Sequence, residues 1–424
     1  MDTTLKKSNY PWVIVLSCLF WSGMIFGVMG NTVGMYYAPV AAEMGWSTKQ
    51  VSFFMTIYPI VAGICSPIAG RIFNKTNKIQ FVLAALGIVW GLTYVWSSTY
   101  TQLWQWTVYG VITGILGGFL MYIPVPLVIN NWFTKGKGLA LGIAACFTNL
   151  MPAIANPIIS AQIAAHGWRP VRMVIGIGLI IVCTPITLLL VRKTPKEKGM
   201  LAWGEGEGEE NSAAAAEKKL NQTGTSASVA FKSAAFWLAL LSVACLVSCA
   251  TINQRIASLA NARGFNPVAV GMAASIILVG GVVGKFILGA IRDKSGNAVL
   301  TGLCCAGFGL VGCALFLFFG TTSVAMFYIS ILIYGFGYAG LTVVPPMVVE
   351  AAFGGKNFGQ IYANVSVVTC VASSITSYIY AAIIDSHGGN YFEGCFYFAI
   401  VLYAIFAVCV PLIVKLGQKL PREE

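Results

Sequence analysis

The chain reads Gly289-Ala290-Ile291-Arg292-Asp293-Lys294-Ser295-Gly296 at the end of one apolar run, and Gly70-Arg71-Ile72-Phe73-Asn74-Lys75 at the end of another, 219 residues earlier. Each apolar run has about 20 residues, which is the length that a helix needs to cross a hydrocarbon core of roughly 30 Å. The pattern predicts two membrane-spanning helices that each end in a short polar loop of the same kind.

The similarity extends to both sides of these loops. A gapless offset of 219 relates the regions before the loops, and an offset of 221 relates the regions after them. The matched positions are Val51 and Val270, Ile57 and Ile276, Gly114 and Gly335, Pro124 and Pro345, Lys135 and Lys356, and Gly138 and Gly359. Because the order is kept and the offset is nearly constant, the chain is predicted to consist of two similar halves.

Composition indicates a polytopic membrane protein. Of the 424 residues, 58% are hydrophobic and only 9% are charged, and the mean hydropathy is +0.80. A soluble domain carries about 25% charged residues, so this class is excluded, as are disordered chains. The 12 cysteines are too sparse for a disulfide scaffold. We predict an all-α fold with twelve spans, at roughly 12–34, 50–72, 79–97, 103–128, 138–163, 171–191, 236–260, 268–291, 298–319, 323–348, 357–383 and 393–414.

A polar segment of low complexity separates six of these spans from the other six. It contains an alternation of glycine and glutamate at 204–210 and an alanine run at 213–216. Such a segment cannot bury enough apolar surface to fold alone. The predicted domains are a six-helix bundle at 1–191, a flexible cytoplasmic linker at 192–235 and a second six-helix bundle at 236–424.

The net charge of +12 follows from topology. Most lysines and arginines fall in one set of loops, whereas the opposite set holds Lys49, Arg169, Arg172 and Arg263. Positively charged loops favour the cytoplasmic side of a membrane, so both termini are expected in the cytoplasm. The protein itself is expected in the cytoplasmic (inner) membrane. No nucleic-acid partner is predicted.

Six plus six helices with a parallel repeat resemble the major facilitator superfamily over nearly the whole chain. In that family the loops after helices 2 and 8 contain a glycine, an acid and basic residues that hold one conformational state. The second copy here matches well, and the first has Asn74 where the family usually has aspartate. The resemblance implies gating roles for Gly70, Arg71, Asn74, Lys75, Gly289, Asp293 and Lys294.

Lys285 is the strongest candidate for a substrate ligand. It lies deep in the predicted helix 8, where a charge costs several kcal/mol on insertion scales and is a functional hypothesis by default. The alternative is that Lys285 bends towards the cytoplasm and pairs with Asp293 or with backbone carbonyls. The acids of this sequence lie in loops or at helix ends, so an anionic substrate is the favoured partner.

A narrower resemblance supports an organic anion. The run Asn131-Trp132-Phe133-Thr134-Lys135-Gly136-Lys137-Gly138-Leu139-Ala140-Leu141-Gly142 is similar to a loop of the oxalate–formate antiporter and monocarboxylate porter branch. That branch has a substrate-binding arginine in helix 8, and Gly284-Lys285-x-x-x-Gly289 matches its context with lysine instead. A second basic residue in helix 11 has no counterpart here, which favours a monoanion over a dianion.

Further ligands are expected on helices 1, 4, 7 and 10, which line the cavity in this superfamily. For each aromatic residue, the alternative to a role as ligand is packing between helices or against lipid. For Arg255, the alternative is a role in the outer vestibule or in gating. With Lys285, the predicted substrate-binding residues are Tyr122, Tyr334, Tyr338, Asn31, Tyr36 and Arg255.

These features predict a secondary transporter of small organic monoanions, either an anion exchanger or a proton-coupled symporter. One alternative is a transporter of neutral or hydrophobic solutes in which Lys285 is structural. Another is a membrane sensor or partner-binding protein. No catalytic or metal-ligating cluster is present in the sequence, so we expect no enzyme activity, no metal and no cofactor. We expect a monomer in the lipid bilayer.

Overall fold

The computed structural model describes residues 8–121, 123–133, 137–205, 224–320, 323–355, 357–386 and 390–422. Within these ranges the chain forms helices, short loops and two isolated β-bridges. Eleven helical stretches of the described part are long and apolar enough to cross a membrane. A further helix, Lys137–His166, has 30 residues and covers the predicted fifth span. At 1.5 Å per residue it is about 45 Å long.

The principal helices follow the predicted spans closely. In the first half they are α1 (Tyr10–Met44), α2 (Phe54–Lys75), α3 (Ile79–Ser97), α4 (Leu103–Leu120), α5 (Lys137–His166) and α6 (Trp168–Leu190). In the second half they are α7 (Ala234–Ala250), α8 (Pro267–Ser295), α9 (Ala298–Phe319), α10 (Val324–Tyr338), α11 (Phe358–Asp385) and α12 (Glu393–Gly417).

Five of the predicted spans contain an interruption of regular α-helix, the shortest being the turn at Phe53 between Thr48–Ser52 and α2. In α1, a π-helical segment at Gly23–Asn31 is followed by a 3-10 turn at Val33–Tyr36. Directly after α7, the 3-10 turn Thr251–Arg255 lies at the position that the offset of 219 predicts from Val33–Tyr36. Helix α4 ends at Leu120 and a short helix follows at Pro124–Trp132. Helix α10 ends at Tyr338, and a second helix continues the span at Gly340–Phe353.

The chain divides into two compact units. The first comprises 1–207 with 257–275, and the second comprises 208–256 with 276–424. In the first unit α2 packs on α4 and α3 packs on α6, and in the second α9 packs on both α10 and α12. The predicted domain boundaries at 192 and 235 stay a prediction.

Small residues allow these helices to come close together. A Cβ placed on Gly110 would lie 2.9 Å from the carbonyl oxygen of Phe54, and one on Gly118 would lie 2.7 Å from that of Ala62. Small residues at helix interfaces are typical of membrane proteins, because they allow close van der Waals contact between backbones. The glycines of α4 therefore serve helix packing.

Both ends of the polar segment between the halves contact the unit next to them. After α6, the backbone NH of Trp203 donates to the carbonyl of Trp132 over 2.8 Å. Before α7, the NH of Thr225 donates to the carbonyl of Phe353 over 2.8 Å. The glycine and glutamate run that led us to expect a flexible linker lies mostly in 206–223, outside the described residues.

Candidate functional site

Lys285 lies on α8, ten residues before the helix ends at Ser295, which corresponds to about 15 Å along the axis. Its side chain is half-buried. The preceding residue, Gly284, packs tightly on α10, because a Cβ there would lie 2.7 Å from the Cα of Phe336 and 2.8 Å from the Cβ of Ala339. Lys285 therefore leaves the helix beside this contact, next to the interruption that follows Tyr338.

The two tyrosines of α10 have different surroundings. Tyr334 is 1% exposed, and its hydroxyl donates to the carbonyl of Cys249 in α7 over 2.8 Å. Its ring lies 6.0 Å from that of Tyr403 and 5.9 Å from that of Phe396, both in α12. Tyr338 is half-buried and is the last residue of α10. Tyr334 thus joins three helices inside the second unit, and Tyr338 lies at a helix break.

Arg255 occupies the 3-10 turn that follows α7. The side chain is 2% exposed, and its Nη2 donates to the carbonyl of Ser377 in α11 over 2.9 Å. The guanidinium therefore connects the end of α7 to α11 within the second unit.

Asn31 contacts a backbone group that a proline releases. Its Nδ2 donates to the carbonyl of Thr148 in α5 over 2.9 Å. In a regular helix that carbonyl would accept from the residue four positions later, which here is Pro152 and has no NH. A second proline of α5, Pro157, likewise releases the carbonyl of Ala153, which accepts from the Ser275 hydroxyl over 2.5 Å. In both cases a side chain donates to a backbone carbonyl that lacks its helical partner because a proline follows four residues later.

Tyr36 contacts a residue that sequence reasoning had placed in a loop. Arg172 lies just inside the predicted span 171–191 but is counted there among the loop charges, and that count is wrong, since the residue is 0% exposed and belongs to the first turns of α6. Its guanidinium carbon lies 4.9 Å from the ring centroid of Tyr36 and 4.2 Å from that of Tyr94. The rings of Trp106 and Tyr109 lie 5.1 and 5.0 Å away. The excess of tyrosine and tryptophan around 94–109 was the available signal.

The residues with predicted gating roles lie at the ends of α2 and α8. Arg71, Lys75 and Lys294 are exposed, and Gly70 and Gly289 are half-buried. A Cβ on Gly289 would meet no atom of the described residues within 4 Å. Of Asn74 and Asp293 the structure describes the backbone, which is helical. Their gating roles stay predictions, and Tyr122 lies outside the described residues.

The loop motif after α4 holds the chain that follows α6. Trp132 donates its Nε1 proton to the carbonyl of Arg192 over 2.8 Å, and Asn131 donates from Nδ2 to the carbonyl of Lys193 over 3.1 Å. Lys193 in turn donates from Nζ to the carbonyls of Phe73 and Thr76, at 2.9 and 2.8 Å. The motif is thereby connected to the first polar loop, at the end of α2.

Comparison with known proteins assigns the chain to a family. The model of the Major Facilitator Superfamily matches residues 18–349 and 250–424, which together cover nearly the whole chain. The chain belongs to the Major Facilitator Superfamily. It is therefore a multi-pass membrane protein, and the predicted all-α fold of two six-helix bundles is confirmed.

Several curated superfamily members resemble part of the chain. Monocarboxylate transporter 12 of Homo sapiens is 24% identical over 204 residues, 46% of this chain and 39% of that protein. An MFS-type transporter of Gibberella moniliformis is 27% identical over 192 residues, 43% of this chain and 45% of that protein. Monocarboxylate transporter 13 of Rattus norvegicus is 23% identical over 175 residues, with 41% and 40% covered. The matches thus span less than half the length of these relatives.

Solved superfamily structures share the fold. A bacterial homologue of the human lysosomal transporter Spinster superposes with a TM-score of 0.72 and 13% identity, over 98% of both chains. The nucleoside transporter NupG superposes with a TM-score of 0.71 and 11% identity, over 95% of this chain and 99% of that one. At such identities the likeness concerns the fold alone.

Proposed function

We propose that this protein is a secondary transporter of small organic monoanions, with Lys285 as the ligand of the substrate carboxylate. The observation that carries the proposal is the position of Lys285, a half-buried cation about 10 Å along the axis from the nearer end of the apolar span Pro267–Arg292. An ammonium at such a depth marks a substrate or ion pathway more often than it serves packing.

The interruption of α10 supports the part of the second unit around Lys285 as the substrate site. The spans of α1 and α7 are broken at positions related by the offset of 219, and those of α4 and α10 are each broken once. In secondary transporters, interrupted helices at corresponding positions of the repeats commonly form the substrate site. Tyr338, at the break of α10, is the tyrosine that we propose as a second ligand, and Gly284 brings Lys285 close to that break.

The kind of substrate follows from charge. One lysine neutralises one carboxylate, whereas a dianion would keep an uncompensated charge in a medium of low dielectric constant. The relatives named monocarboxylate transporters are consistent with this choice. Lysine lacks the planar fork of arginine, so it binds a carboxylate as a point charge. We place the protein in the cytoplasmic membrane as a monomer, with both termini in the cytoplasm.

Transport by purified protein in proteoliposomes tests the proposal. Uptake of radiolabelled formate, lactate and pyruvate is measured with unlabelled acid inside the vesicles and, separately, with an imposed pH gradient. Stimulation by internal acid identifies exchange, and stimulation by the gradient identifies proton symport. Lys285→Ala should abolish uptake and Lys285→Arg should retain part of it. Lys415→Ala, at the exposed end of α12, is the matched control. Full uptake by Lys285→Ala would refute the assignment.

A further inference from the structure

Arg172 is a fully buried cation with hydrogen-bonding capacity to spare. Its Nε donates to the Ser97 hydroxyl over 2.6 Å, and that hydroxyl donates to the carbonyl of Tyr94 over 2.5 Å. The Tyr109 hydroxyl also interacts with the guanidinium, but Nη1 and Nη2 form no well-aligned hydrogen bond among the described residues. A buried guanidinium normally has a carboxylate or several acceptors, because the loss of hydration costs several kcal/mol.

Aromatic rings surround this guanidinium and compensate part of that cost. We call Arg172 with the rings of Tyr36, Tyr94, Trp106 and Tyr109 the arginine cage. Its four ring distances lie within the roughly 6 Å range of cation–π attraction. Such attraction acts on the charge but does not by itself supply acceptors in the plane of the terminal N–H groups.

Several polar atoms around the cage are buried donors without a well-aligned acceptor. The hydroxyls of Tyr36, Tyr94 and Tyr100 and the indole nitrogens of Trp106 and Trp168 are buried and form no well-aligned hydrogen bond among the described residues. The hydroxyls of Tyr36 and Tyr94 do interact with each other, and that of Tyr94 interacts with Thr32. Burial raises the pKa of Tyr100 to about 12, against the opposing effect of the Arg172 charge, so that this phenol keeps its proton at neutral pH. Indole offers a donor and no acceptor. An acceptor between the terminal nitrogens of Arg172 and the nearest of these donors would satisfy both.

Arg169, by contrast, has hydrogen-bond acceptors at all three of its guanidinium nitrogens. Arg169, three residues earlier, donates from Nε to Glu43 Oε1 over 2.8 Å. Its Nη1 and Nη2 donate to the carbonyls of Ser98 and Tyr100, at 2.6 and 2.8 Å. The acid of this region is therefore engaged with Arg169, and Arg172 is left with the rings and Ser97.

We infer that the arginine cage binds a small monovalent inorganic anion, of the size of chloride, between the terminal nitrogens of Arg172 and the surrounding phenol and indole donors. The anion neutralises the guanidinium and joins α1, α3, α4 and α6 at one point of the first unit. Tyr36 belongs to the 3-10 turn after the π-helical segment of α1, the least regular part of the wall, and displacement of this turn admits the ion. The site is separate from Lys285, which belongs to the second unit.

Thermal unfolding of the detergent-purified protein tests this inference without a transport assay. Chloride or bromide is titrated against gluconate at constant ionic strength, since gluconate is too large for a closed aromatic site. The wild type should show a saturable rise of Tm by a few degrees, as expected for a ligand that binds only the folded state. Arg172→Gln should lose this rise, and Arg172→Lys should need about tenfold more chloride because lysine lacks the fork.

Two controls separate the inference from general effects. Arg169→Gln should lower the starting Tm but keep the chloride-dependent rise, and Lys285→Ala should also keep it, whatever its transport activity. If Arg172→Gln does not fold, bromide-soaked crystals of the wild type supply the second measurement, with an anomalous peak expected in contact with Arg172. A wild-type Tm that is independent of chloride, an equal rise in Arg172→Gln, or no bromide at the cage would overturn the inference.

Discussion

Gly114 of α4 lies directly against the backbone of Tyr58 in α2, since a Cβ placed on Gly114 would be 2.8 Å from the Tyr58 carbonyl oxygen. The second half repeats this contact. A Cβ on Gly335 of α10 would be 2.6 Å from the carbonyl oxygen of Ile277 in α8. Tyr58 and Ile277 are related by the offset of 219, and the two glycines by the offset of 221. The same close approach of two helices is therefore built twice.

Valine at either glycine should destabilise the protein. The new side chain would collide with backbone atoms that cannot rotate away, and overpacking of this kind costs about 1–3 kcal/mol or more. We expect Gly114→Val and Gly335→Val each to lower the Tm by about 5 °C or more in detergent. Gly178→Val and Gly307→Val are the controls, because a Cβ at these positions meets no described atom within 4 Å. An equal loss in all four variants would contradict the packing explanation.

The helices and the repeat could be predicted from sequence because hydropathy is read from a short stretch of chain and the repeat from a nearly constant offset. Matching Gly114 with Gly335 needed only a constant offset, and the structure adds the partner of each. The site was less accessible to such reasoning. Arg172 lies at the start of the predicted span 171–191 and counts there as a loop charge, because the rings that enclose it come from three other helices and leave no local signal.

The polar residues show the same limit. Asn31 is a polar side chain in a membrane helix, which suggests a substrate ligand. Its hydrogen bond to the Thr148 carbonyl depends on how α1 and α5 pack against each other, and the sequence does not reveal this. Likewise, the motif at Asn131-Trp132 could be recognised by resemblance, but its partners Arg192 and Lys193 lie about 60 residues later. Tertiary partners of this kind become visible only in the structure.

Asn31 and Pro152 should be energetically coupled. Asn31→Leu removes the donor and leaves the Thr148 carbonyl, at a contact between two helices, without this hydrogen bond, which costs about 1 kcal/mol. In Pro152→Ala the helix regains an NH that can bond this carbonyl, so Asn31→Leu should cost much less in that background. The Tm values of the two single variants and the double variant complete the cycle. Strict additivity of the two changes would show that the proline does not create the need for Asn31.

Lys193 should stabilise the end of α2. Its ammonium donates to the carbonyls of Phe73 and Thr76, which lie where the helix has no further NH groups to offer. We expect Lys193→Ala to increase hydrogen exchange of the amides around 70–78 several-fold, with a smaller change elsewhere. Lys196→Ala is the control, since that side chain is exposed in the same segment. Unchanged exchange at the end of α2 in Lys193→Ala would remove this role.

Tyr334 and Tyr338 should respond differently to the loss of a hydroxyl. In Tyr334→Phe the bond to the Cys249 carbonyl is lost inside the second unit, so we expect a lower Tm, by a few degrees, and an unchanged half-saturating substrate concentration. In Tyr338→Phe the proposed substrate contact is lost at the break of α10, so the half-saturating concentration should rise about three- to tenfold with little change in Tm. Uptake of the best substrate from the formate, lactate and pyruvate series and thermal unfolding are measured on the same preparations. If Tyr334→Phe weakens substrate binding while Tyr338→Phe leaves it unchanged, then Tyr334 is the ligand and the break of α10 is only a packing feature.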